Sequence, residues 1–550
     1  MPKKKKIALT TASIVLLSSV LAACSQSSSE ESNEPKPSAE STKPTATEAP
    51  AYTLPIVKDG SVTLSIGIPD NSYAPKSYTQ NLPVWQEVEK KTGVKIKWDV
   101  SPAAQYNANM NIRLAAATDL PDILKLPSNP VAAADDGLIV PMDELIDKYA
   151  PNIKKYFTQY PNMRKLFTAP DGKIYALSSD TSGTAYSDPQ GWLIRKDWLD
   201  KLGLKEPTNL DEWYTVLKAF KEKDPNGNGK ADEIPLAPNY SWGGLQNFGK
   251  ALGLKMGDYS NNYSVDASGK VKYEWMDPKA KDLVVWLNKL YTEGLIDPEF
   301  VTKRTPAQIL PDITRELVGA TQGFVNNTAT LEAAINKPGT DWIVTVPPAN
   351  AGLKGYYEKY GPLSGYYAIS KDAKNKEVAI KWLDYIFASE EGARMQSYGV
   401  EGISYTMVNG KPQFTDFIKN NPDKLDATSA LRSLGAFPST PWIRDEKGVF
   451  SNQAMDLLQM KPDLVALAKK IEPYLIDPIP FQFMLATKEE AADEKRISTD
   501  LNTYHEETIL KYIFGKEPID WDKYVKRSKE LGVDQLTAIK QKQYDRYMKK

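Results

Sequence analysis

The segment from Val62 to Val100 constrains the fold more than any other part of the 550-residue sequence. The alternation in VTLSIGI predicts a strand, LPVWQEVEKKTG predicts an amphipathic helix that ends at Gly93, and VKIKWDV predicts a second strand. A strand, a helix and a strand in this order build a parallel sheet. The sequence therefore predicts an α/β fold, and its length is sufficient for two or more domains.

The N-terminal residues predict export. A basic start, KKKK, precedes an apolar run from Ile7 to about Leu21, and small residues precede Cys24. Because the run is too short for a comfortable membrane span, residues 1–23 are interpreted as a signal peptide. LAAC resembles the lipobox of bacterial lipoproteins, in which the cysteine is acylated. Cys24 is the only cysteine, which excludes disulfides within the chain; an incidental cysteine after a secretory peptide is the alternative.

Residues 24–55 are rich in Ser, Glu, Pro and Thr and contain few large apolar side chains, which predicts a disordered tether. A lipid on Cys24 is therefore expected to anchor the folded part to the extracellular face of the membrane, in a Gram-positive cell, and to leave it free to reorient. The formal net charge of −1 gives no indication of a nucleic-acid partner.

Signatures of catalysis are scarce. His505, the only histidine, lies in the polar stretch LNTYHEETIL, which predicts a solvent-exposed side chain. With the one cysteine assigned to the anchor, cysteine nucleophiles and His/Cys zinc sites lack candidates. No acidic pair stands out, although the 70 acidic residues leave a glycosidase pair open. The sequence also lacks a G-x-x-x-x-G-K-[ST] phosphate-binding loop, so we expect a protein that is not an enzyme.

The order of several sequence segments along the chain resembles the order found in a known protein family. After the signal peptide and the tether, the chain contains SVTLSIGIPD, LPVWQEVEKKTGVKIKW, ATDLPDILKL, DGKIYALSS, GWLIRKDWLDKLGLKEPTNLDEWYTVLKAF, GYYAISKDAKNKEVAIKWLDYIFASEEG and YGVEGISYT. From Val62 to its end the sequence resembles the extracellular solute-binding proteins of the family-1 sugar-binding type, and in particular the alginate-oligosaccharide-binding lipoproteins.

The resemblance implies a two-lobed, periplasmic-binding-protein-like fold of type II, with a ligand cleft between the lobes. We expect residues 56–180 and 360–398 in the first lobe, and residues 185–355 and 399–550 in the second. It also implies a monomeric substrate-binding lipoprotein that captures an oligosaccharide for an ABC importer, with permease subunits and their ATPase as partners. The alternatives are an anchored, calcium-dependent polysaccharide hydrolase or lyase, and a sensory or adhesive surface protein that binds sugar.

Aromatic residues suggest where a sugar would bind, because pyranose rings stack on flat aromatic faces. Trp213, Trp286 and Trp382 lie in amphipathic helices and are assigned to the core. Aromatic and polar residues in loops, some of them after predicted strands, are ligand candidates, with plain packing or a solvated loop as the alternative for each. The candidates are Asn71, Tyr73, Ser128, Asn129, Tyr240, Trp242, Asn326, Asn327, Glu401, Tyr405, Trp442 and Arg444. Arg444 leaves an acidic sugar possible.

The stretch DPNGNGKADEIPL, from Asp224 to Leu236, has the spacing of a calcium-binding loop. The closing glutamate of position twelve is replaced by Pro235, but Glu233 stands two residues earlier, as it does in the alginate-binding relatives. An Asn-Gly turn without metal is the alternative. The expected ligands of a structural Ca²⁺ are Asp224, Asn226, Asn228, the carbonyl of Lys230, Asp232 and Glu233.

Overall fold

The computed structural model describes residues 52–549, with the exception of residues 59, 71–73, 181–189, 240–241, 257–261, 303–304, 360–362, 438–439 and 444–461. The predicted signal peptide, Cys24 and most of the predicted tether therefore lie outside the described residues. No described helix combines the length and the apolar character needed to cross a membrane.

The strands of the described residues follow each other as β1 Thr63–Asp70, β2 Lys95–Pro102, β3 Ile123–Leu126, β4 Leu177–Asp180, β5 Gln190–Arg195, β6 Ile234–Leu236, β7 Tyr263–Val265, β8 Val271–Tyr273, β9 Val318–Phe324, β10 Trp342–Val344, β11 Tyr357–Glu358, β12 Leu363–Ile369, β13 Tyr405–Val408, β14 Lys411–Phe414 and β15 Leu475–Ile476.

The α-helices are α1 Pro83–Thr92, α2 Ala103–Ala116, α3 Val131–Asp135, α4 Asp143–Tyr149, α5 Pro151–Gln159, α6 Pro161–Phe167, α7 Lys196–Lys201, α8 Leu210–Glu222, α9 Trp242–Leu245, α10 Lys279–Thr292, α11 Pro306–Thr314, α12 Asn327–Ile335, α13 Lys376–Ala388, α14 Glu390–Tyr398, α15 Asp416–Lys419, α16 Ala427–Ser433, α17 Pro462–Ile471, α18 Lys488–Ile513, α19 Trp521–Glu530 and α20 Val533–Lys549. The 3-10 helices are Tyr78–Gln80, Gln246–Leu252, Glu274–Met276, Glu472–Tyr474 and Phe481–Phe483.

The first strand, helix and strand form as the sequence predicts. Helix α1 begins with Pro83, whose missing N–H is not needed at a first helical position. It ends at Gly93, which has φ 69° and donates its N–H to the carbonyl of Glu89 at 2.8 Å. Strands β1 and β2 then pair in parallel, with Thr63 opposite Lys95. The predicted parallel unit is confirmed.

The chain that precedes β1 is docked on this unit. The backbone N–H of Val57 donates to the carbonyl of Thr92 at 3.1 Å. A Cβ atom on Gly93 would lie 1.7 Å from the Val57 carbonyl oxygen, so the close approach as well as the positive φ requires glycine. Tyr52 and Ile56 also pack against the neighbouring core. Residues 52–57 are therefore part of the folded body.

The first lobe is built around a five-stranded sheet in the order β2-β1-β3-β12-β4. Strands β1, β2 and β3 are parallel, whereas β12 lies antiparallel between β3 and β4. Its core includes Trp382 of α13, which is fully buried, as the sequence predicts.

The second lobe is built around a four-stranded sheet in the order β10-β5-β9-β6. Strand β5 is antiparallel to both β9 and β10, and β6 is parallel to β9. Helix α8 packs beside this sheet and buries Trp213 completely, while Trp286 of α10 is partly buried against the same core. The assignment of both tryptophans to the core is confirmed.

Along the described residues, the core to which the chain belongs changes three times. The chain leaves the first lobe after β4, returns between β11 and β12, and crosses again between Ile443, which packs in the first core, and Leu464, which packs in the second. Each crossing includes residues outside the described part of the chain.

One segment packs differently from the expected division. The sequence assigns residues 399–550 to the second lobe, yet Tyr405, Phe414 and Leu431 contribute to the core of the first. The reason is that β13, β14 and α16 follow α14 directly and bury their apolar sides against it and its neighbours. The remaining boundaries stay predictions.

Asp384 of α13 is a completely buried carboxyl group in the first lobe. Its oxygens accept hydrogen bonds from the backbone N–H of Ile153 and from Asn152 Nδ2, both at 2.7 Å. Burial nevertheless raises the pKa of Asp384 to about 6, because the ionised form loses its hydration.

We predict that Asp384 makes the protein less stable as the pH rises. Because its folded pKa exceeds the unfolded value of about 3.9, folding favours the protonated form. Protonated Asp384 therefore adds to the free energy of unfolding by an amount on the order of 3 kcal/mol. This stabilisation is complete below about pH 4 and disappears as the pH rises through about 6. Asp384→Asn should remove that decline in urea unfolding measured across this range, while Asp147→Asn, at an exposed carboxylate of the same lobe, should keep it. Equal pH profiles for wild type and Asp384→Asn would contradict this assignment.

Candidate functional site

The parallel strands of the first sheet end at one edge, and ligands bind at such edges in open α/β sheets. Ser128 and Asn129 follow β3 at this edge. The Ser128 side chain is exposed, whereas Asn129 Oδ1 accepts a hydrogen bond from Val131 N at 3.1 Å and so also holds the start of α3. Asn71 and Tyr73 follow β1, but they lie outside the described residues.

The second sheet has a corresponding edge. Gln190, the first residue of β5, lies opposite Phe324, the last residue of β9. Asn326 follows β9 and is exposed. Asn327 accepts a hydrogen bond from Phe324 N through Oδ1 at 2.8 Å, so its side chain fixes the turn between β9 and α12. Of this predicted pair, Asn326 is the one whose side chain is open to solvent.

A small cavity of about 20 Å³ lies at the same edge, beside the crossing strand β11. It is lined by Gln190, Gly191, Asn247, Lys250, Gln322, Tyr357 and Glu358. Three of these polar side chains are almost fully buried: Lys250, Gln322 and Glu358 are 5%, 8% and 8% exposed. Polar groups buried at strand ends are suited to hold a polar ligand in a fixed orientation.

None of these cavity residues is among the ligand candidates predicted from the sequence. Gln322 carried the clearest signal, since it is the one long polar side chain in the otherwise small and apolar strand VGATQGF. Lys250 carried less, because a lysine in a surface-like segment gives no indication that it will be buried. Its ammonium group lies 5.3 Å from the centre of the Tyr356 ring.

Two candidates around residue 400 lie in contrasting surroundings. Tyr405 is only 3% exposed, and its ring centroid lies 5.7 Å from that of Tyr398. The Tyr398 ring in turn lies 5.1 Å from Phe414, the residue opposite Tyr405 in β14. This packing favours the structural alternative for Tyr405. Glu401 is exposed at the turn before β13.

Trp442 lies against the end of β4, at the edge of the first sheet where β3 also ends. Its backbone N–H donates to Ser179 Oγ at 3.3 Å, and its ring meets the Phe437 ring edge-on at 6.1 Å. The residue is 6% exposed, so a sugar could reach only a small part of the ring in this conformation. Tyr240, Arg444 and the side chain of Trp242 lie outside the described part of the chain.

His505 is buried, and the prediction of an exposed histidine is wrong. The side chain is 5% exposed, because α18 turns it inward against Trp275, with ring centroids 4.6 Å apart. Its Nδ1 is hydrogen-bonded to Tyr524 Oη at 2.7 Å. Burial lowers the pKa of His505 to about 3, so the imidazole is neutral at pH 7.

The predicted calcium loop is organised by its own side chains. Asp224, at φ 45°, accepts hydrogen bonds from Gly227 N and Asn228 N through Oδ1, at 2.9 and 3.1 Å, and from Gly229 N through Oδ2, at 3.0 Å. These bonds are also what an Asx turn makes without a metal. Helix α8 leads into the loop and β6 leaves it.

The amides of the loop continue this pattern. Asn226 Oδ1 accepts from Asn228 N at 2.9 Å, and Asn228 Oδ1 accepts from Lys230 N at 2.7 Å. Asn228 Nδ2 donates to Asp232 Oδ1 at 3.0 Å. Within the described residues, no group of three or more His, Cys, Asp or Glu side chains has the arrangement of a metal site.

Glu233 differs from the rest of the loop because it is buried. It is 3% exposed, and neither carboxylate oxygen has a hydrogen-bond partner among the described residues. Burial raises its pKa, and the negative charges of Asp224 and Asp232 raise it further. A buried carboxylate without a donor fits a neighbouring cation, since an unpaired buried charge is costly.

Two α/β sheets, joined by three crossings and each carrying polar side chains at an edge, define a two-lobed protein of the periplasmic-binding-protein type. The sequence model for bacterial extracellular solute-binding proteins matches residues 71–393, and the chain belongs to this family.

Curated relatives extend the similarity over most of the chain. The fructooligosaccharide ABC transporter substrate-binding protein FusA of Streptococcus pneumoniae is 29% identical over 510 residues, which are 88% of this chain and 90% of that protein. The polygalacturonan/rhamnogalacturonan-binding protein YtcQ of Bacillus subtilis is 26% identical over 82% of this chain and 86% of its own length. The lipoprotein LipO of the same species is 27% identical over 72% and 77%. These relatives are binding proteins and lipoproteins by name.

Solved structures agree with the sequence comparisons. The alginate-binding protein AlgQ2, crystallised without calcium ion, superposes with a TM-score of 0.69 at 28% identity and covers 89% of this chain and 99% of its own. An HMO-binding, ABC-transporter-associated solute-binding protein of Bifidobacterium longum infantis gives a TM-score of 0.72 at 25% identity and covers 90% of this chain and 100% of its own.

We predict that Asn327 is needed mainly for the turn after β9. Asn327→Ala leaves Phe324 N without its acceptor and should lower the free energy of unfolding by about 1 kcal/mol. Asn326→Ala, at the adjacent exposed position, should cost less than half of that. Chemical denaturation of both variants measures the difference, and equal losses would contradict it.

Proposed function

We propose that this protein is the substrate-binding lipoprotein of a bacterial ABC importer, and that it captures an oligosaccharide between its two lobes. The observation that carries the proposal is the similarity over 88% of the chain to a substrate-binding protein that by name takes fructooligosaccharides. The buried polar side chains at the second-lobe edge, Lys250, Gln322 and Glu358, agree with a polar ligand.

Capture would proceed by closure of the lobes around the sugar. Crossings between two rigid sheets are the usual position of a hinge, and the closed state is favoured when it makes ligand contacts that the open state lacks. On the first lobe, Ser128 and Trp442 lie at the strand edge, and on the second, Gln322 and Asn326 do so. Hydrogen bonds from these polar groups would orient the sugar, and aromatic faces would supply stacking.

In this proposal the chain provides the binding site for the sugar but not the ATPase that drives transport. Its sequence lacks a phosphate-binding loop, so transport would need permease subunits and an ATPase supplied by other chains. We further propose that acylated Cys24 holds the protein at the outer face of the membrane. The relatives are substrate-binding proteins by name, which supports binding over hydrolase or lyase activity. His505, the only histidine, is buried and engaged with Tyr524.

We predict that oligosaccharides raise the melting temperature and that Gln322 contributes to their affinity. Gln322→Met keeps the volume but removes the amide, and it should weaken binding of the sugar that gives the largest shift by at least about tenfold, which corresponds to about 1.4 kcal/mol. A panel of neutral and acidic oligosaccharides, followed by calorimetric titration, measures this. Gln159→Met, at an exposed position on α5, should leave affinity unchanged. Absence of any thermal shift across the panel would refute the proposed function.

We also propose that the Asp224–Glu233 loop binds Ca²⁺ as a structural ion. The oxygens available are those of Asp224, Asn226, Asn228, Asp232 and Glu233, with the Lys230 carbonyl, and such oxygens suit a hard dication. The buried carboxylate of Glu233, without a hydrogen-bond partner among the described residues, supports the proposal. When bound, the ion would neutralise charges that otherwise repel each other, and it would hold the end of α8 to the start of β6.

We predict that Ca²⁺ stabilises the wild-type protein through Glu233. Chelation should lower the wild-type melting temperature, whereas Glu233→Gln should melt at the same temperature with and without Ca²⁺. In chelator, Glu233→Gln should be the more stable protein, because an uncompensated buried charge has been removed. Glu222→Gln, an equal change of charge at the exposed end of α8, should keep the calcium response. A bound ion would be refuted if elemental analysis finds no calcium and the melting temperature of the wild type does not change on chelation.

A further inference from the structure

A second cavity has a volume of about 330 Å³. It is lined by the 3-10 helix Gln246–Leu252, the β7–β8 hairpin, and helices α18 and α20, and it is open on one side. It shares no lining residue with the small cavity beside Gln322. A volume of this size falls within the range of about 300–1,000 Å³ that small-molecule sites occupy.

The lining of this cavity is polar almost throughout. Of its lining residues, Leu536 is the only one without a polar side-chain atom, and the others offer amides, hydroxyls, phenols, carboxylates, an ammonium group and an imidazole. An empty cavity that persists in a protein is usually apolar, whereas a polar one needs water or a ligand to satisfy its groups. The composition therefore indicates a polar occupant, either water or a ligand with hydrogen-bonding groups.

Parts of the wall are fixed by contacts within the protein. Lys540 Nζ pairs with Glu494 Oε1 at 2.9 Å, and Gln543 Nε2 donates to the same oxygen at 2.6 Å. Three turns further along α18, His505 is held by Tyr524 and by the edge of Trp275. Side chains held in this way form a preorganised surface, which lowers the entropy that binding must overcome.

Asn262 supplies an acceptor that the described part of the protein does not use. Its Oδ1 is buried and has no hydrogen-bond partner there, although the residue lines the cavity. A buried acceptor left without a donor costs about 1–3 kcal/mol. A hydroxyl group of a ligand would satisfy this oxygen once the Asn262 side chain turns toward the cavity that the residue lines.

The charges in the cavity select against an anion. His505 is neutral at pH 7, because burial lowers its pKa to about 3. The positive charge of Lys540 is matched by Glu494, and Glu506 adds a second carboxylate to the lining. The paired rings of Tyr263 and Tyr273, with centroids 5.1 Å apart, provide an aromatic wall. Neutral polyhydroxylated rings combine hydroxyl groups with apolar faces and fit this surface.

We propose that this cavity is a second saccharide site in the second lobe, which takes one neutral sugar ring independently of the site at the strand edges. The inference rests on the proposed function for the class of ligand, but its position and its residues are separate. Asn262 accepts from a sugar hydroxyl, Ser498 and Asn502 exchange hydrogen bonds with others, and the tyrosine wall covers one face.

The experiment uses Trp275, whose ring touches His505, as a reporter of occupancy. Full-length protein labelled with 5-fluorotryptophan is titrated with D-glucose, D-galactose and D-fructose, and Trp275→Phe assigns the resonance among the 12 tryptophans. At least one sugar should shift the Trp275 signal. Asn502→Trp, which fills the open side from an exposed helical position, should weaken that binding at least tenfold. Asn262→Gly, which suits the local φ of 62°, should also weaken it.

Thr503→Trp is the matched control, since it places the same ring at the adjacent exposed position of α18 and should bind like wild type. No shift with any of the three sugars overturns the proposal and means that the cavity holds water only. A shift that survives in Asn502→Trp also overturns it, because the sugar then binds elsewhere. A shift produced by D-glucuronate but by no neutral sugar also overturns it. Oligosaccharide titration of the same samples separates the two claims, because a failed cavity with intact oligosaccharide binding leaves the proposed function standing.

Discussion

The antiparallel position of β12 between β3 and β4 is the constraint on which the two-lobed arrangement depends. Leu363 of the returning strand lies opposite Asp180 of the departing strand, so the two crossings begin side by side in the first sheet. They also end close together in the second, where Tyr357 Oη accepts a hydrogen bond from Trp192 N at 3.2 Å. The ends of the two crossings are thus held next to each other in both lobes, which is the arrangement that the proposed closure by hinge motion would use.

The sequence predicted the local units better than their assembly. The β1-α1-β2 unit was predictable because its periods, its proline and its glycine all indicate the same structure. The lobe to which Tyr405, Phe414 and Leu431 belong was not predictable. An amphipathic segment shows which of its faces is buried, but it does not show which of the two cores that face packs against. For the same reason His505, in a polar helix, gave no sign that α18 would turn it toward Trp275.

The residues of the candidate site also differ in whether the sequence could predict them. Strand-end loops such as Ser128 and Asn326 could be selected from sequence, because the carboxyl ends of strands have a fixed role in open sheets. Gln322, Lys250 and Asn262 could not, since their importance comes from burial and from neighbours far away in the sequence. The loop from Asp224 to Glu233 combines both cases. The spacing of its oxygen-bearing residues could be recognised in the sequence, whereas the burial of Glu233 is seen only in the structure.

The docking of residues 52–57 on the end of α1 has a mechanical consequence. Val57 is bonded to Thr92, and Gly93 leaves room for its carbonyl, so the connection to the N-terminal part of the chain enters the body at the first lobe. A pull or a constraint applied through that connection acts on the first lobe directly and reaches the second only through the crossings. In the proposed closure, the first lobe is therefore the one held by this connection, and the second lobe is the one that moves relative to it.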